Sequence, residues 1–320
     1  MASDTAAMEI LSFGDLVAPG SYDVHSRFRR VVNMTGGARF VSLVTPGVEA
    51  APLNIVIRGL DTGSVRSLRI DAGAGTACAG DSHSSMRGLA ITIDSVRIKA
   101  GPDRVYDSTL SPAMCEHPRS RSNLRAFGAL LVELAPEKSL AFLLDPTRVA
   151  EFRPGFERGV AEHIGHCVRD ILFGDTLRGV SRLKGCGFGL TPSGDDFIVG
   201  LLIATHVMDT DRPLAAGELR ARIFESARTT NTLSDTFLHL AACGRVTRGM
   251  QELTGSLSSG TSHDVTRCAR HLVSIGATSG VDTGVGLYLT LRSGLGRSAQ
   301  AAWNQAGGPH ELHAGEAQWS

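Results

Sequence analysis

The residues with the clearest chemical potential form a glycine-rich turn within residues 184–200, which ends in an apolar segment. Glycines alternate at 185, 187 and 189, so the backbone there can adopt φ values that other residues avoid. The Pro-Ser-Gly-Asp sequence at 192–195 is typical of a helix start. Because a helix N-terminus is positive and has free N–H groups, this turn predicts a site for an anion such as phosphate.

The design of this turn occurs a second time. Residues 193–201 and 279–287 share the order Ser-Gly-x-Asp-x-x-Val-Gly-Leu, which places Asp196 and Asp282 at the same position. We take these two acids as candidate catalytic residues, because a carboxylate can act as a general base, accept hydrogen bonds from an amide or ureido NH₂, or hold a metal. The alternative is a pair of helix caps. Neighbouring helix residues point about 100° apart, so Asp195 can cap its helix while Asp196 faces a pocket.

A third polar stretch, 228–235, has four hydroxyl residues and an amide directly before an apolar segment. These residues could cap a helix, or the loop could contribute to the same site with Arg228 as an anion clamp. We predict that the three turns form one site. The candidate binding residues are Lys184, Gly187, Gly189, Thr191, Ser193, Gly194, Asp195, Arg228, Thr230, Asn231, Ser234, Ser279 and Gly280.

Other motifs in the chain are weaker. The glycine-rich turn has neither the Gly-Lys-Ser/Thr of a P-loop nor a dinucleotide-binding pattern. His163, His166 and Cys167 have no complementary Cys/His set, so we predict no metal, and no cofactor motif is found. The six cysteines show no Cys-x-x-Cys pairing, which favours free thiols. The cluster at 25–33 is Arg-rich, which favours a solvated face over a contact with a substrate carboxylate or a partner.

The composition indicates an ordinary globular protein. The 320 residues include 32 basic and 32 acidic side chains, so charge gives no support for nucleic acid or an anionic membrane as a partner. The N-terminus carries Asp4, Glu9 and Asp15 and has no long apolar core, so it does not resemble a secretory signal. The most apolar run, 197–207, is too short to cross a bilayer. We therefore predict a cytoplasmic protein.

The hydrophobic period changes along the chain. Apolar runs at 40–44, 53–57, 65–70 and 89–96 are β-rich and predict a sheet or small barrel. Helical periodicity follows. We expect helices over 124–134, 156–172, 196–208, 219–227, 233–242, 246–253, 265–275 and 281–291. The predicted class is α+β, with a β-rich N-terminal domain (1–148), a helical domain with the polar turns (149–296), and a disordered tail (297–320).

Three segments together resemble the AllH-like family: Gly-Phe-Gly-Leu-Thr-Pro-Ser-Gly-Asp-Asp-Phe at 187–197, Arg-Thr-Thr-Asn-Thr-Leu-Ser at 228–234 and Ile-Gly-Ala-Thr-Ser-Gly-Val-Asp-Thr at 275–283. His-Ser-Arg-Phe at 25–28 is similar to its N-terminal signature. That family is associated with one subunit of oxamate carbamoyltransferase. The resemblance implies the phosphorolysis of oxalurate to oxamate and carbamoyl phosphate in allantoin breakdown, with partner subunits similar to FdrA and AllG. It supplies no catalytic residues.

Two other functions stay open from the sequence. A stand-alone phosphate- or nucleotide-binding enzyme, such as a small-molecule kinase, would hold its nucleotide at the glycine-rich turn. A non-catalytic scaffold subunit would need the polar turns only as helix caps. A small anionic substrate or phosphate would suit the stand-alone enzyme and the carbamoyltransferase equally, because either protein would bind the anion at a positive helix end.

Overall fold

A computed structural model describes residues 7–37, 39–71, 88–111, 120–208 and 213–293. The predicted disordered tail lies outside these residues. The α+β prediction is confirmed: the N-terminal half is β-rich and the C-terminal half is helical.

The β-rich half is one nine-stranded sheet. Its strands are β1 (Glu9–Gly14), β2 (Gly20–Arg27), β3 (Val31–Gly36), β4 (Arg39–Val44), β5 (Asn54–Arg58), β6 (Ser67–Ile70), β7 (Leu89–Ile93), β8 (Val96–Ala100) and β9 (Val105–Tyr106). The order across the sheet is β8-β7-β6-β2-β3-β4-β5-β1-β9. Most neighbours are antiparallel, but β4 pairs with β5, and β1 with β9, in parallel. The sheet curls, because β1 also approaches β8.

Alternation of apolar residues builds the sheet, since side chains on successive residues point to opposite faces. Met34, Leu43 and Ile55 lie in the buried cluster on one face. The Arg-rich segment that we described as a solvated stretch forms much of the β2–β3 hairpin. Its Arg27 donates to the Thr62 and Val65 carbonyls, and Arg30 donates to the Pro46 carbonyl. These arginines therefore hold neighbouring loops of the sheet.

The helical half contains α1 (Ser120–Leu134), α2 (Phe156–Phe173), α3 (Thr176–Leu183), α4 (Ser193–Val207), α5 (Pro213–Ala227), α6 (Thr232–Ala242), α7 (Arg248–Ser259), α8 (Ser262–Val273) and α9 (Ser279–Ser293). A short 3₁₀ helix, Leu140–Leu143, lies between α1 and α2. Helices α4 and α9 are apolar and buried on nearly all sides. They pack against each other. Around them, α3, α5 and α6 contact α4, and α1, α8 and the 3₁₀ helix contact α9.

Contacts divide the described residues into two compact units. Unit one contains those up to Leu110 together with Gly244–Gln251, and unit two contains those of Ser111–Cys243 and those from Glu252 onward. The sequence predicts a boundary after residue 148. Helix α1 lies before that boundary but belongs to unit two, because it packs on α8 and α9 and Asn123 donates to the Ser256 and Gly260 carbonyls.

Two further predictions concern cysteines and membranes. Within the described part of the chain, Cys167, Cys186, Cys243 and Cys268 are free thiols. Cys78 and Cys115 lie outside it. None of the helices in these ranges combines the length and apolar character that a membrane span requires.

Candidate functional site at paired helix ends

Two glycines allow α4 and α9 to approach closely. A Cβ at Gly200 would lie 2.1 Å from the Thr283 carbonyl oxygen, and a Cβ at Gly286 would lie 2.1 Å from the Phe197 oxygen. Both glycines belong to the repeated Ser-Gly-x-Asp-x-x-Val-Gly-Leu pattern, so the contact is symmetric. We call this contact the glycine seam. It brings one helix backbone directly against the other.

The turns before α4 and α9 are also built alike. The Gly194 N–H donates to the Cys186 carbonyl at 2.8 Å, and the Gly280 N–H donates to the Ile275 carbonyl at 3.0 Å. A Cβ at either glycine would overlap a carbonyl oxygen of the preceding helix, at 2.2 Å and 1.9 Å respectively. The units α3–α4 and α8–α9 are therefore two copies of one helix-turn-helix design.

The seam places the two helix starts side by side. Thr191 precedes α4, and its Oγ1 lies 3.2 Å from the Ser279 Oγ at the start of α9. Thr191 also donates to Asp196 Oδ2 at 3.1 Å, and the Ser279 hydroxyl faces the same carboxyl. Asp196 is only 6% exposed, whereas Thr191 and Ser279 are half-buried. Two hydroxyls thus form a rim above a buried acid, and we call Thr191 and Ser279 the hydroxyl rim.

Asp282 has the matching position in the second copy, with one addition. The hydroxyls of Ser193 and Thr278 face its carboxyl, as Ser279 and Thr191 face Asp196. The added partner is the backbone N–H of Leu140, which donates to Asp282 Oδ1 at 2.6 Å. Asp282 is fully buried, and its Oδ2 has no close hydrogen-bond partner within the described ranges.

Burial raises the pKa of both acids, and their different hydrogen-bond partners make the two pKa values unequal. Removal from water raises the pKa of Asp196 to about 8; the Ser279 and Thr191 hydroxyls lower it, while the nearby Asp282 and Asp195 carboxylates raise it. Burial also raises the pKa of Asp282, but only to about 6, because the Leu140 N–H and the Ser193 and Thr278 hydroxyls stabilise its charged form. The pKa of Asp196 therefore lies above that of Asp282, so Asp196 is the member of the pair that favours the protonated form.

This arrangement can supply acid chemistry. A protonated carboxyl donates a hydrogen bond or a proton, and a neighbouring carboxylate keeps that proton in place. Two titratable groups with separated pKa values are frequent at functional sites, although structural networks also produce them. The positive ends of α4 and α9 further favour negative charge at this position.

The polar loop at 228–235 contacts the glycine-rich turn. The Asn231 side chain donates to the Leu190 carbonyl at 2.9 Å, and the Lys184 ammonium donates to the Arg228 carbonyl at 3.1 Å. Asn231 also caps α6, because its Oδ1 accepts from the N–H groups of Leu233 and Ser234. The loop therefore supports the turn and caps a helix at once.

Several predicted binding residues are used for structure. We expected N–H groups of Gly194 and Asp195 to face a ligand, but they donate to the Cys186 and Pro192 carbonyls. The Asp195 carboxylate accepts from the Gly185 N–H at 2.7 Å, and so closes the turn. The expectation of a bare N–H cradle was wrong, since the turn folds its own carbonyls back onto these donors.

The remaining predicted residues divide in the same way. Arg228 lies 3.6 Å from an Asp235 oxygen and over the Phe224 ring, which occupies its guanidinium. Thr230 is exposed, and the Ser234 hydroxyl is buried without a partner among the described residues. Gly187 and Gly189 have φ values of 109° and 110°, which L side chains rarely adopt. At Gly187 a Cβ would also lie 2.7 Å from the Ser193 nitrogen.

Replacing Asn231 with alanine tests the support of the glycine-rich turn. We expect a loss of about 1–2 kcal/mol in the free energy of unfolding, because the α6 cap is removed. We also expect faster hydrogen exchange of the amides at 185–191, since the bond to Leu190 is lost. Thr261→Ala is the matched control, because Thr261 caps α8 in a capping box away from this turn. Equal exchange at 185–191 in both variants would contradict the supporting role.

Leu140 is the site residue that the sequence did not reveal. It contributes a backbone N–H from a segment 142 positions away from Asp282, so no side-chain motif marks it. In the structure this segment is marked by Lys138, whose φ of 59° is unusual for a residue other than glycine. That value indicates a turn with a demanding geometry, but not what the turn contacts.

Other polar clusters have less chemical potential. A groove of about 600 Å³ on unit one contains none of the predicted site residues, and its lining includes Asp71 and Arg97, which form an ion pair at 2.5 Å. Across the described ranges, no group of three or more His, Cys, Asp or Glu side chains could hold a metal ion.

Comparison with protein families connects this geometry to known proteins. The family model described as oxamate carbamoyltransferase subunit AllH matches residues 183–291, a range that includes all three polar turns. The model of the AllH family N-terminal domain matches residues 2–98, which include β1 to β7. Curated proteins and solved structures give no match. The two matched ranges together cover about two thirds of the chain, which therefore belongs to the AllH family.

Proposed function

We propose that this chain is a subunit of a carbamoyltransferase that converts oxalurate and phosphate into oxamate and carbamoyl phosphate, a late step of allantoin and purine breakdown. The family description supports a subunit of an oxamate carbamoyltransferase. The observation that carries the proposal for this chain is the buried Asp196 carboxyl beneath the hydroxyl rim, with its pKa raised by burial and by the nearby Asp282.

The reaction requires a proton donor at one defined atom. A phosphate oxygen attacks the ureido carbonyl carbon of oxalurate, a C–O bond forms, and the bond from this carbon to the nitrogen of the oxamate half breaks. The departing nitrogen must gain a proton to become the oxamate NH₂, and the attacking hydrogen phosphate gives up one proton, which restores the donor, so the reaction takes up no net proton. We assign this proton to Asp196, delivered directly or through the hydroxyl of Thr191 or Ser279. Phosphate brings its negative charge toward the positive ends of α4 and α9.

Asp282 has an electrostatic role in this proposal. Its carboxylate raises the pKa of Asp196 and so keeps the donor protonated at neutral pH. The Leu140 N–H and the Ser193 hydroxyl hold Asp282 in its charged form. The proposal thus uses both predicted catalytic acids, with different tasks set by their partners.

We also propose partner subunits similar to FdrA and AllG. The family description names a subunit, which supports a complex of several chains. Phe188 of the glycine-rich turn and Phe156 at the start of α2 are 53% and 77% exposed, and their ring centroids lie 6.3 Å apart. An exposed aromatic pair next to the rim suits contact with another chain.

Reconstitution tests the proposed reaction. We expect the chain, co-expressed with FdrA-like and AllG-like partners, to release carbamoyl phosphate from oxalurate and phosphate. Asp196→Asn in the same complex should lower kcat by roughly 10²–10⁴, the usual contribution of a positioned proton donor. Asp170→Asn is the control, because Asp170 forms only a surface ion pair with Arg182.

The outcomes separate the alternatives. No carbamoyl phosphate from a complete, folded complex would rule out this reaction. Full activity of Asp196→Asn would instead leave the chain as a scaffold whose acids are helix caps. Calorimetry that detects ATP binding to the isolated chain would favour a nucleotide-dependent enzyme.

A further inference from the structure

The two copies of the site differ in one partner, and this difference is informative. Each acid faces a serine of the opposite helix and a threonine before its own helix. Only Asp282 also receives a peptide N–H, from Leu140 at 2.6 Å. The Asp196 carboxyl has hydroxyl partners, Thr191 at 3.1 Å and Ser279. Among the described residues, one copy therefore pairs its acid with a peptide N–H of the chain, and the other pairs its acid with hydroxyls alone.

We propose that Asp196 binds the amide group of a small planar amide or ureido acid, in the place that the Leu140 peptide takes at Asp282. The inference rests on the proposed function, and it adds that the amide group of the substrate is recognised and that Asp196 is the residue that binds it. Exposure agrees with it, because Asp282 is fully buried under the 3₁₀ helix that begins at Leu140, whereas Asp196 has 6% of its surface open beside the half-buried hydroxyl rim.

Hydrogen-bond chemistry explains the choice of an amide. A protonated carboxyl has one O–H donor and one acceptor oxygen, and a primary amide has a carbonyl acceptor and N–H donors. The two groups pair with two hydrogen bonds, O–H to carbonyl and N–H to oxygen. A carboxylate ligand in the same place has no N–H to donate, and it would bring a further negative charge toward Asp282, whose Oδ2 has no close partner among the described residues.

Competitive binding of oxamate and oxalate tests this receptor. The two ligands are planar and of nearly equal size, but oxalate has an oxygen in place of the NH₂ group. In the reconstituted complex at pH 7, calorimetry should show tighter binding of oxamate. Asp196→Leu should reduce the ratio of the two dissociation constants by about tenfold or more, since the partner of the amide is lost. Asp196→Asn should keep most of the ratio, because an asparagine amide also donates and accepts.

Asp170→Asn controls for the loss of a carboxylate elsewhere in the helical unit. A wild-type ratio in folded Asp196→Leu would overturn the inference, as would a complex that binds oxalate and oxamate equally. If Asp196→Leu does not fold, ¹⁵N-labelled oxamate gives a second measurement. Its NH₂ protons should exchange at least tenfold more slowly when bound to the wild type, and exchange at the free rate would equally overturn the inference.

The two proposals fail separately. Suppose that the complex forms carbamoyl phosphate from oxalurate, but that its preference for oxamate does not change when Asp196 is replaced. The proposed function would then stand, and the proposed amide-binding role of Asp196 would be wrong. If the preference for oxamate depends on Asp196 but no carbamoyl transfer is detected, the amide-binding role of Asp196 would stand and the proposed function would be wrong.

Discussion

We expect an Asp196→Asn protein to unfold at a higher temperature than the wild type at pH 8, by roughly 5–10 °C, and to lose the activity that we propose for the complex. The pKa of Asp196 is raised from 3.8 to about 8 in the folded chain. The folded state therefore holds a proton that the unfolded chain releases above about pH 4, and stability falls as pH rises from there to 8. Asparagine cannot ionise and so removes this loss of stability. A pKa shift of this size corresponds to a loss of roughly 2–5 kcal/mol at pH 8, when structural relaxation around the carboxyl is allowed for.

Thermal unfolding across pH gives the sharper measurement. The difference in melting temperature between Asp196→Asn and the wild type should be near zero at pH 4 and grow up to about pH 8. For Asp282→Asn the gain should stop growing near pH 6, where the folded pKa of Asp282 lies, and the asparagine oxygen can still accept the Leu140 N–H. A difference that does not depend on pH would contradict the buried, protonated state of Asp196.

The second large effect concerns the glycine seam. Gly286→Ala should lower the free energy of unfolding by about 3 kcal/mol, because its Cβ would meet the Phe197 carbonyl oxygen at 2.1 Å and one backbone must move away from the other. This loss exceeds the gain of up to about 1 kcal/mol that alanine brings to a helix interior. Urea unfolding measures the loss, and activity of the complex should fall with it, since the hydroxyl rim joins the same two helices.

Gly255→Ala in α7 is the matched control. Gly255 is also inside a helix, but a Cβ there would meet nothing within 4 Å. We expect this variant to be as stable as the wild type or more stable by up to about 1 kcal/mol. If both variants shift stability in the same direction, close approach does not explain the glycine at 286.

The repeated Ser-Gly-x-Asp-x-x-Val-Gly-Leu pattern predicted the two central helices correctly. It identified both central helices, because an apolar segment after Ser-Gly-x-Asp predicts a buried helix with a polar start, and the structure places α4 and α9 there. The shared glycines at 200 and 286 proved to be the contact between them. Whether Asp196 and Asp282 act in catalysis stays a prediction.

The failures have physical causes as well. Helix α3 (Thr176–Leu183) was not predicted, because its eight residues make only about two turns and include Gly179 and the β-branched Thr176 and Val180, which lower helix propensity. The bare N–H cradle was wrong, since a sequence does not show which carbonyls fold back onto a turn. Leu140 could not be found at all, because every residue except proline offers the same backbone N–H.

The glycine seam also constrains how the chain is made. Helices α5 to α8 lie between α4 and α9 in the sequence. Helix α4 therefore leaves the ribosome well before α9, the helix that packs against it. Until α9 arrives, the side of α4 that packs on α9 is uncovered and Asp196 lacks its Ser279 partner, and such long-range contacts form slowly. A chain interrupted before residue 279 therefore lacks the hydroxyl rim and the second acid together. The site can therefore form only after both helix starts, at residues 193 and 279, have been synthesised.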